Sequence, residues 1–169
     1  SSEKESQKIV DLLLEGNDLA LISDAGTPTI SDPGYGLIRE CIKHDIRIIP
    51  IPGVSAITTA MSASGLPSDS FTFHGFLPQK KGRLKKIQDL SYIDNTIILF
   101  ESPYRLVKTL TQLLESLGDR SVVVGRELTK LYEEIIRGNL SEVLEYFSKS
   151  KVKGEIVIMI GKKDDRIHF

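Results

Sequence analysis

Leu19-Ala20-Leu21-Ile22-Ser23-Asp24-Ala25-Gly26-Thr27-Pro28-Thr29-Ile30-Ser31-Asp32-Pro33-Gly34-Tyr35-Gly36 runs an apolar segment straight into small residues, two prolines and two aspartates. Leu19 to Ser23 reads as a buried strand. A strand that ends in small residues brings free amides to the carboxyl edge of a sheet, where open α/β folds bind ligands. Gly26 allows dihedrals and close approaches that a Cβ forbids, while Pro28 fixes its own φ and biases Thr27 toward an extended form. The same stretch also reads as a plain strand-to-helix connection, with Asp32-Pro33-Gly34 as its turn. Residue chemistry alone leaves both readings open.

Outward from this stretch the pattern is regular. Ile9-Val10 and Leu12-Leu13-Leu14 have helical spacing, with Gly16-Asn17 as a stop; residues 36–44 read as a second helix. Ile46 to Ile51 is a strand rich in β-branched residues, followed by Pro50-Ile51-Pro52-Gly53-Val54-Ser55-Ala56 and a small-residue helix from Ile57 to Ser64. Helix, strand, helix, strand at these lengths predicts a parallel α/β sheet. Two neighbouring strands then present two Gly/Pro loops at one edge, which favours a shared site. Ala60, Ser62, Ala63 and Ser64 equally allow close packing of helix on sheet.

Gly65-Leu66-Pro67-Ser68-Asp69 breaks the pattern and places a domain boundary there, dividing residues 1–67 from 68–169. The second part is also α/β. Strands are expected at Phe71–Phe76, Thr96–Phe100, Ser121–Gly125 and Glu155–Ile160, and helices at Leu106–Leu117 and Leu140–Phe147, with a short segment at Tyr132–Arg137. Five basic residues occupy seven positions from Lys80 to Lys86. Such a run is a solvated helix face or a phosphate-contacting patch.

The chain has 169 residues, 40% hydrophobic and 27% charged, an ordinary globular composition. A net charge of −1 carries no global signature of a nucleic-acid partner, so any such surface is local. The single cysteine, Cys41, excludes an intramolecular disulfide; its helical setting predicts burial. No apolar run approaches the ~20 residues of a bilayer span, and a cytoplasmic location with no membrane partner is expected. The chain opens on Ser-Ser-Glu-Lys rather than methionine, the opening expected of a fragment.

His44, His74 and His168 are far apart and Cys41 is alone, so no metal site is expected. The P-loop, the Gly-x-Ser-x-Gly elbow and the Gly-x-Gly-x-x-Gly fingerprint are all missing from the sequence. What remains is a metal-free site of small loops at strand ends, with Glu101, Arg105, Arg126, Glu127 and Lys130 as polar groups from the second domain. Salt bridging at strand ends is the plain alternative for these.

Five segments in order carry a resemblance: Ser23 to Gly34, Pro50 to Ala56, Gly75-Phe76-Leu77-Pro78, Phe100-Glu101-Ser102-Pro103-Tyr104-Arg105 and Arg126-Glu127-Leu128-Thr129-Lys130. Together they resemble the bacterial small-subunit (16S) ribosomal RNA cytidine 2′-O-methyltransferases of the tetrapyrrole methylase superfamily, over nearly the whole chain. The resemblance implies two α/β domains, the first truncated, a parallel sheet followed by a mixed sheet. It also implies S-adenosylmethionine bound between them, ribosomal RNA or the small ribosomal subunit as partner, and a homodimer. It assigns cofactor binding to Asp24, Ala25, Gly26, Thr27, Ile30, Pro52, Gly53, Ser55 and Ala56, and turns Lys80, Lys81, Arg83 and Arg105 toward RNA. Asp24, Glu127 and Lys130, at or just beyond strand ends, are the groups to test for the proton of the 2′-hydroxyl; Lys130 needs a depressed pKa to serve as base. The family opens with a strand, a Thr-Pro-Ile-Gly-Asn-like loop and two further strands before the position of Ser1. Without them one wall of the cofactor site and one sheet edge are expected to be open. Two other readings stand beside this one: a tetrapyrrole or other small-molecule acceptor, and a non-catalytic RNA-binding fragment.

Overall fold

The computed structural model describes residues 3–163 and 167. They fall into two compact units, Ser1–Ser55 and Ala56–Phe169.

In the first unit, helices α1 (Glu3–Leu14) and α2 (Tyr35–Lys43) pack on one another. Val10 and Cys41 are buried in this unit, and burial pushes the Cys41 thiol above its ordinary value. Cys41 is therefore a packing residue with a poorly nucleophilic sulfur. Past Leu14 the backbone of Gly16 and Asn17 bonds back to Leu13 and Leu12, which closes α1 where the sequence predicts.

The two strands expected in this unit are corrected. Among the described residues, neither 19–23 nor 46–51 has a ladder partner. Ile22, Ile49 and Ile51 are 84%, 61% and 80% exposed. A parallel strand is stabilised by hydrogen-bonded neighbours and by cover on both faces, and β-branched composition supplies neither.

The second unit opens with α3 (Ala56–Ser64), which the sequence reading grouped with the first domain. Ala60 and Met61 of this helix pack with Ile98, Val123, Val157 and Met159 of the sheet. Arg137 donates to the carbonyls of Ser64 and Ala63, holding the carboxyl end of α3. The sheet comprises β1 (Phe71–Phe76), β2 (Thr96–Glu101), β3 (Ser121–Arg126), β4 (Glu134–Asn139) and β5 (Ile156–Ile160), in the order β1-β2-β5-β3-β4. Only β1 and β2 are parallel, joined through α4 (Arg83–Leu90); the other pairings are antiparallel. This is the mixed sheet expected.

Alternation sorts the strands cleanly. Ile97, Leu99, Val122, Val124, Ile156, Ile158 and Ile160 face α4, α5 (Leu106–Leu117) and α6 (Leu140–Ser148), while Ile98, Val123, Val157 and Met159 face α3. β5 is buried along its whole length, which explains why Ile156–Ile160 reads as an unbroken apolar run. The loops that follow β1 and β2 leave the same end of the sheet, because parallel strands end together. His168 lies outside the described residues.

Candidate functional site

The first unit builds one candidate surface from its two Gly/Pro loops. Ser23 Oγ accepts from the Ala25 amide at 3.3 Å and donates to the Ala25 carbonyl at 2.9 Å, forming a tight turn just before Gly26. Gly26 takes φ +76, and a Cβ built on it would meet no atom within 4 Å. Packing does not demand glycine here; backbone conformation does, and the open space leaves the amide approachable. Thr27 Oγ1 donates to the Val54 carbonyl at 2.8 Å, which ties the first loop to the second. Thr29 and Ser31 hold φ of 72 and 54. For a β-branched residue this is an outlier, a strain of about 1–3 kcal/mol, and such strain concentrates at ligand clamps. Asp24, Ala25, Gly26, Thr27, Ile30, Pro52 and Gly53 are all exposed, and Ser55 is half-buried. Ala56 belongs to α3 and packs against the sheet core of the second unit.

In the second unit the segment after β3 is wound just as tightly. The Glu127 amide donates to the Glu155 carbonyl at 2.9 Å, and Glu127 Oε1 accepts from the Glu155 amide at 2.8 Å. Lys130 Nζ bridges Glu127 Oε1 and Glu155 Oε2, each at 3.0 Å. Glu127 and Thr129 have φ of 50 and 66, and the Thr129 amide donates to Glu133 Oε2 at 2.6 Å. The Glu155 amide, then Lys130, hold the Glu127 carboxyl below its ordinary value. Glu155 and then Glu127 hold the Lys130 ammonium above its own. Lys130 is thus a cation, opposite to the depressed pKa that a lysine base requires. A cleft of about 370 Å³ lined by Arg126, Glu127, Tyr132, Lys153 and Gly154 opens beside this segment.

The basic run divides. Lys80 and Lys81 are exposed, but Arg83 is corrected: it is only 4% exposed and cannot face RNA. Its Nε donates to Gln112 Oε1 at 2.9 Å and its Nη1 to the Pro78 carbonyl at 3.1 Å. Its Nη2 reaches Thr109 Oγ1 at 2.6 Å and Glu101 Oε2 at 3.4 Å. Glu101 is the hub of this buried network, accepting also from Thr109 Oγ1 at 2.6 Å, the Ser102 amide at 2.7 Å and Arg105 Nε at 2.8 Å. Burial pushes the Glu101 carboxyl up, but the bonds from Thr109, Ser102 and Arg105 outweigh it and leave the pKa lowered. Arg105 keeps 27% of its side chain exposed while pairing with Glu101. His74 is half-buried, and burial, then Lys86, lower its pKa, which favours the neutral ring.

Sequence reasoning missed Thr109, Gln112, Gly154 and the paired role of Glu155. Arg105, the N-cap of α5, and Thr109 and Gln112 within it are spaced i, i+4, i+7 and so share one face of the helix, a stripe that was legible. Gly154 has no such signal. It adopts φ +93, and a Cβ built on it would collide with Glu127 Cγ.

Comparison with known proteins bears on this arrangement. Residues 1–144 match the family model described as Tetrapyrrole (Corrin/Porphyrin) Methylases. Ribosomal RNA small subunit methyltransferase I of Thermotoga maritima is 44% identical over 164 residues, covering 97% of this chain and 74% of that protein. The proteins of the same name from Halalkalibacterium halodurans and Mesorhizobium japonicum are 45% and 49% identical, covering 99% and 91% of this chain and 58% and 53% of theirs. The chain therefore spans between about half and three quarters of these relatives' lengths. Among solved structures, the methyltransferase CobJ superposes with a TM-score of 0.72 at 18% identity, covering 98% of this chain and 73% of that one. Cobalt precorrin-4 methyltransferase CbiF gives 0.67 at 20%, covering 94% and 70%. Uroporphyrin-III C-methyl transferase from Thermus thermophilus, complexed with S-adenyl homocysteine, gives 0.60 at 19%, covering 94% and 74%. These structural likenesses establish the α/β fold.

Proposed function

Because the chain belongs to the tetrapyrrole methylase family, we propose that it is the part of an S-adenosylmethionine-dependent methyltransferase that acts on the ribose 2′-hydroxyl of a cytidine in small-subunit ribosomal RNA. Identity of 44–49% to proteins named as ribosomal RNA small subunit methyltransferases supports the acceptor. The observation that carries the donor is the Thr27–Val54 hydrogen bond, which ties the first Gly/Pro loop, strained at Thr29, to the exposed second one.

The residues fit the methionine end of the donor. Open space at Gly26 lets a carboxylate or amino group reach the backbone between Asp24 and Thr27, and Ile30, 47% exposed, offers an apolar contact beside it. Pro52, Gly53 and Ser55 would flank the nucleoside, with Ala56 at the start of α3. The donor supplies an electrophilic sulfonium methyl. The chain's task is to orient, since methyl transfer is an in-line displacement governed by alignment. Lys130 acts as a cation that orients RNA or stabilises the developing alkoxide. Glu127 fixes Lys130 in place, and Asp24 is the proton acceptor to test first. A homodimer in the cytoplasm, working on the ribosomal subunit, completes the proposal; no helix among the described residues is long and apolar enough to cross a membrane.

Two measurements test it. Calorimetric titration of the chain with S-adenosylmethionine is expected to show binding. Isotope transfer to free small ribosomal subunits, followed by nucleoside digestion, is expected to yield 2′-O-methylcytidine. Labelling of a porphyrin precursor instead of RNA would overturn the acceptor, and RNA binding without donor binding would reduce the chain to an RNA-binding module.

A further inference from the structure

Tyr104 is 86% exposed, and among the described residues it makes no hydrogen bond or ring contact. Exposure of one aromatic is ordinary; its mounting here is not. The turn that carries it is clamped at both ends: the Ser102 amide and Arg105 Nε both bond Glu101 Oε1, and the Arg105 amide bonds the Ser102 carbonyl at 2.9 Å. The buried Glu101 also grips Arg83, whose Nη1 holds the Pro78 carbonyl in the neighbouring loop. One carboxylate therefore locks together the loops that follow the parallel strands β1 and β2.

That shared edge presents a consistent chemistry. Lys80 and Lys81 are exposed on one loop, while Tyr104 and the part-exposed Arg105 stand on the other. Phe76, 54% exposed, closes β1 at the same end and lies edge-on to Phe100. Cations on a shared edge with an unpacked aromatic ring suit a single-stranded nucleic acid, whose phosphates pair with the cations while a base stacks on the ring. Because the turn is already fixed, stacking on its ring requires little further ordering of the backbone.

We propose that the β1–α4 and β2–α5 loops form one single-stranded RNA contact, in which Tyr104 stacks on an unpaired base and Lys80 and Lys81 engage the flanking phosphates. This rests on the RNA reading above and adds to it the residue that grips a base.

The chain contains no tryptophan, so Tyr104→Trp installs a sole indole whose emission a stacked base quenches. The probe is a short cytidine-containing single-stranded RNA. Tyr92→Trp is the control, being 87% exposed but in the turn before β2, at the opposite end of that strand. The expected result is quenching at position 104 and none at 92. Tyr104→Ala should bind the oligonucleotide roughly 5- to 150-fold more weakly with an unchanged salt slope. Lys80→Ala should instead flatten that slope by ~0.7–1. If the unaltered chain binds RNA while Tyr104→Trp stays bright and Tyr104→Ala binds normally, the inference is wrong and the RNA reading survives. Absence of binding by every form, the unaltered chain included, would overturn the RNA reading and this inference with it.

Discussion

Glu101→Gln preserves side-chain shape and removes one charge from the buried network. Glu101 is fully enclosed and Arg83 nearly so, with side-chain exposures of 0% and 5%. Breaking a buried ion pair leaves an uncompensated charge and costs about 3–5 kcal/mol. Arg83 retains Gln112, Thr109 and the Pro78 carbonyl, so the lower end, about 3 kcal/mol, is expected. For a unit near 100 residues this lowers the melting temperature by about 12–20 °C. Urea and thermal unfolding of Glu101→Gln, Arg83→Met and the double variant measure it. The double variant should lie close to Arg83→Met, giving a coupling of about 2 kcal/mol or more. The pH dependence has a definite sign. The folded pKa of Glu101 lies below its ordinary 4.5, so its contribution is complete above that value and is lost as pH falls through the folded one. The gap between native chain and Glu101→Gln should therefore narrow in acid below 4.5. A stability change under about 1 kcal/mol, or strict additivity of the two single variants, would refute the reasoning.

The Cβ of Gly26→Ala meets no atom within 4 Å, so stability should fall only by the backbone strain of about 1–2 kcal/mol, while calorimetry should show S-adenosylmethionine affinity reduced more than tenfold. Unaltered affinity would mean that the loop does not face the donor. Lys130→Ala and Glu127→Ala should lower methyl-transfer turnover more than donor affinity, and methylation rates equal to those of the unaltered protein would remove both from the reaction. Gly154→Ala should reproduce the Glu127→Ala defect without touching either charge, because the new Cβ collides with Glu127 Cγ and displaces the carboxylate from the Glu155 amide. Single-turnover rates beside those of Glu127→Ala decide that comparison.

The Arg83 and Lys80 pair shows where sequence reading stops. Both are basic residues in one run, and local composition treats them alike. They part only because α4 begins at Arg83, which turns that side chain inward over β2 and α5, while Lys80 and Lys81 precede the helix and stay in solvent. Ile22 and Ile49 fail in the opposite direction. Their apolar runs, the second rich in β-branched residues, predict strands as local preference, yet a strand needs a neighbour's amides and carbonyls, which no property of the run itself provides.

By itself the sequence determined four of the five strands and the helices α5 and α6 of the second unit, though neither β4 nor α4, the α/β class, and the loops on which ligand chemistry rests. Those are local matters: periodicity, turn residues and the backbone freedom of Gly26. Only the tertiary structure decided that Thr27 is bound to Val54, that Lys130 is held as a cation between Glu127 and Glu155, and that Glu101 binds two loops into one edge. Each of these joins residues through space, and charge, burial and partner distance fix their chemistry only once the chain has brought them together.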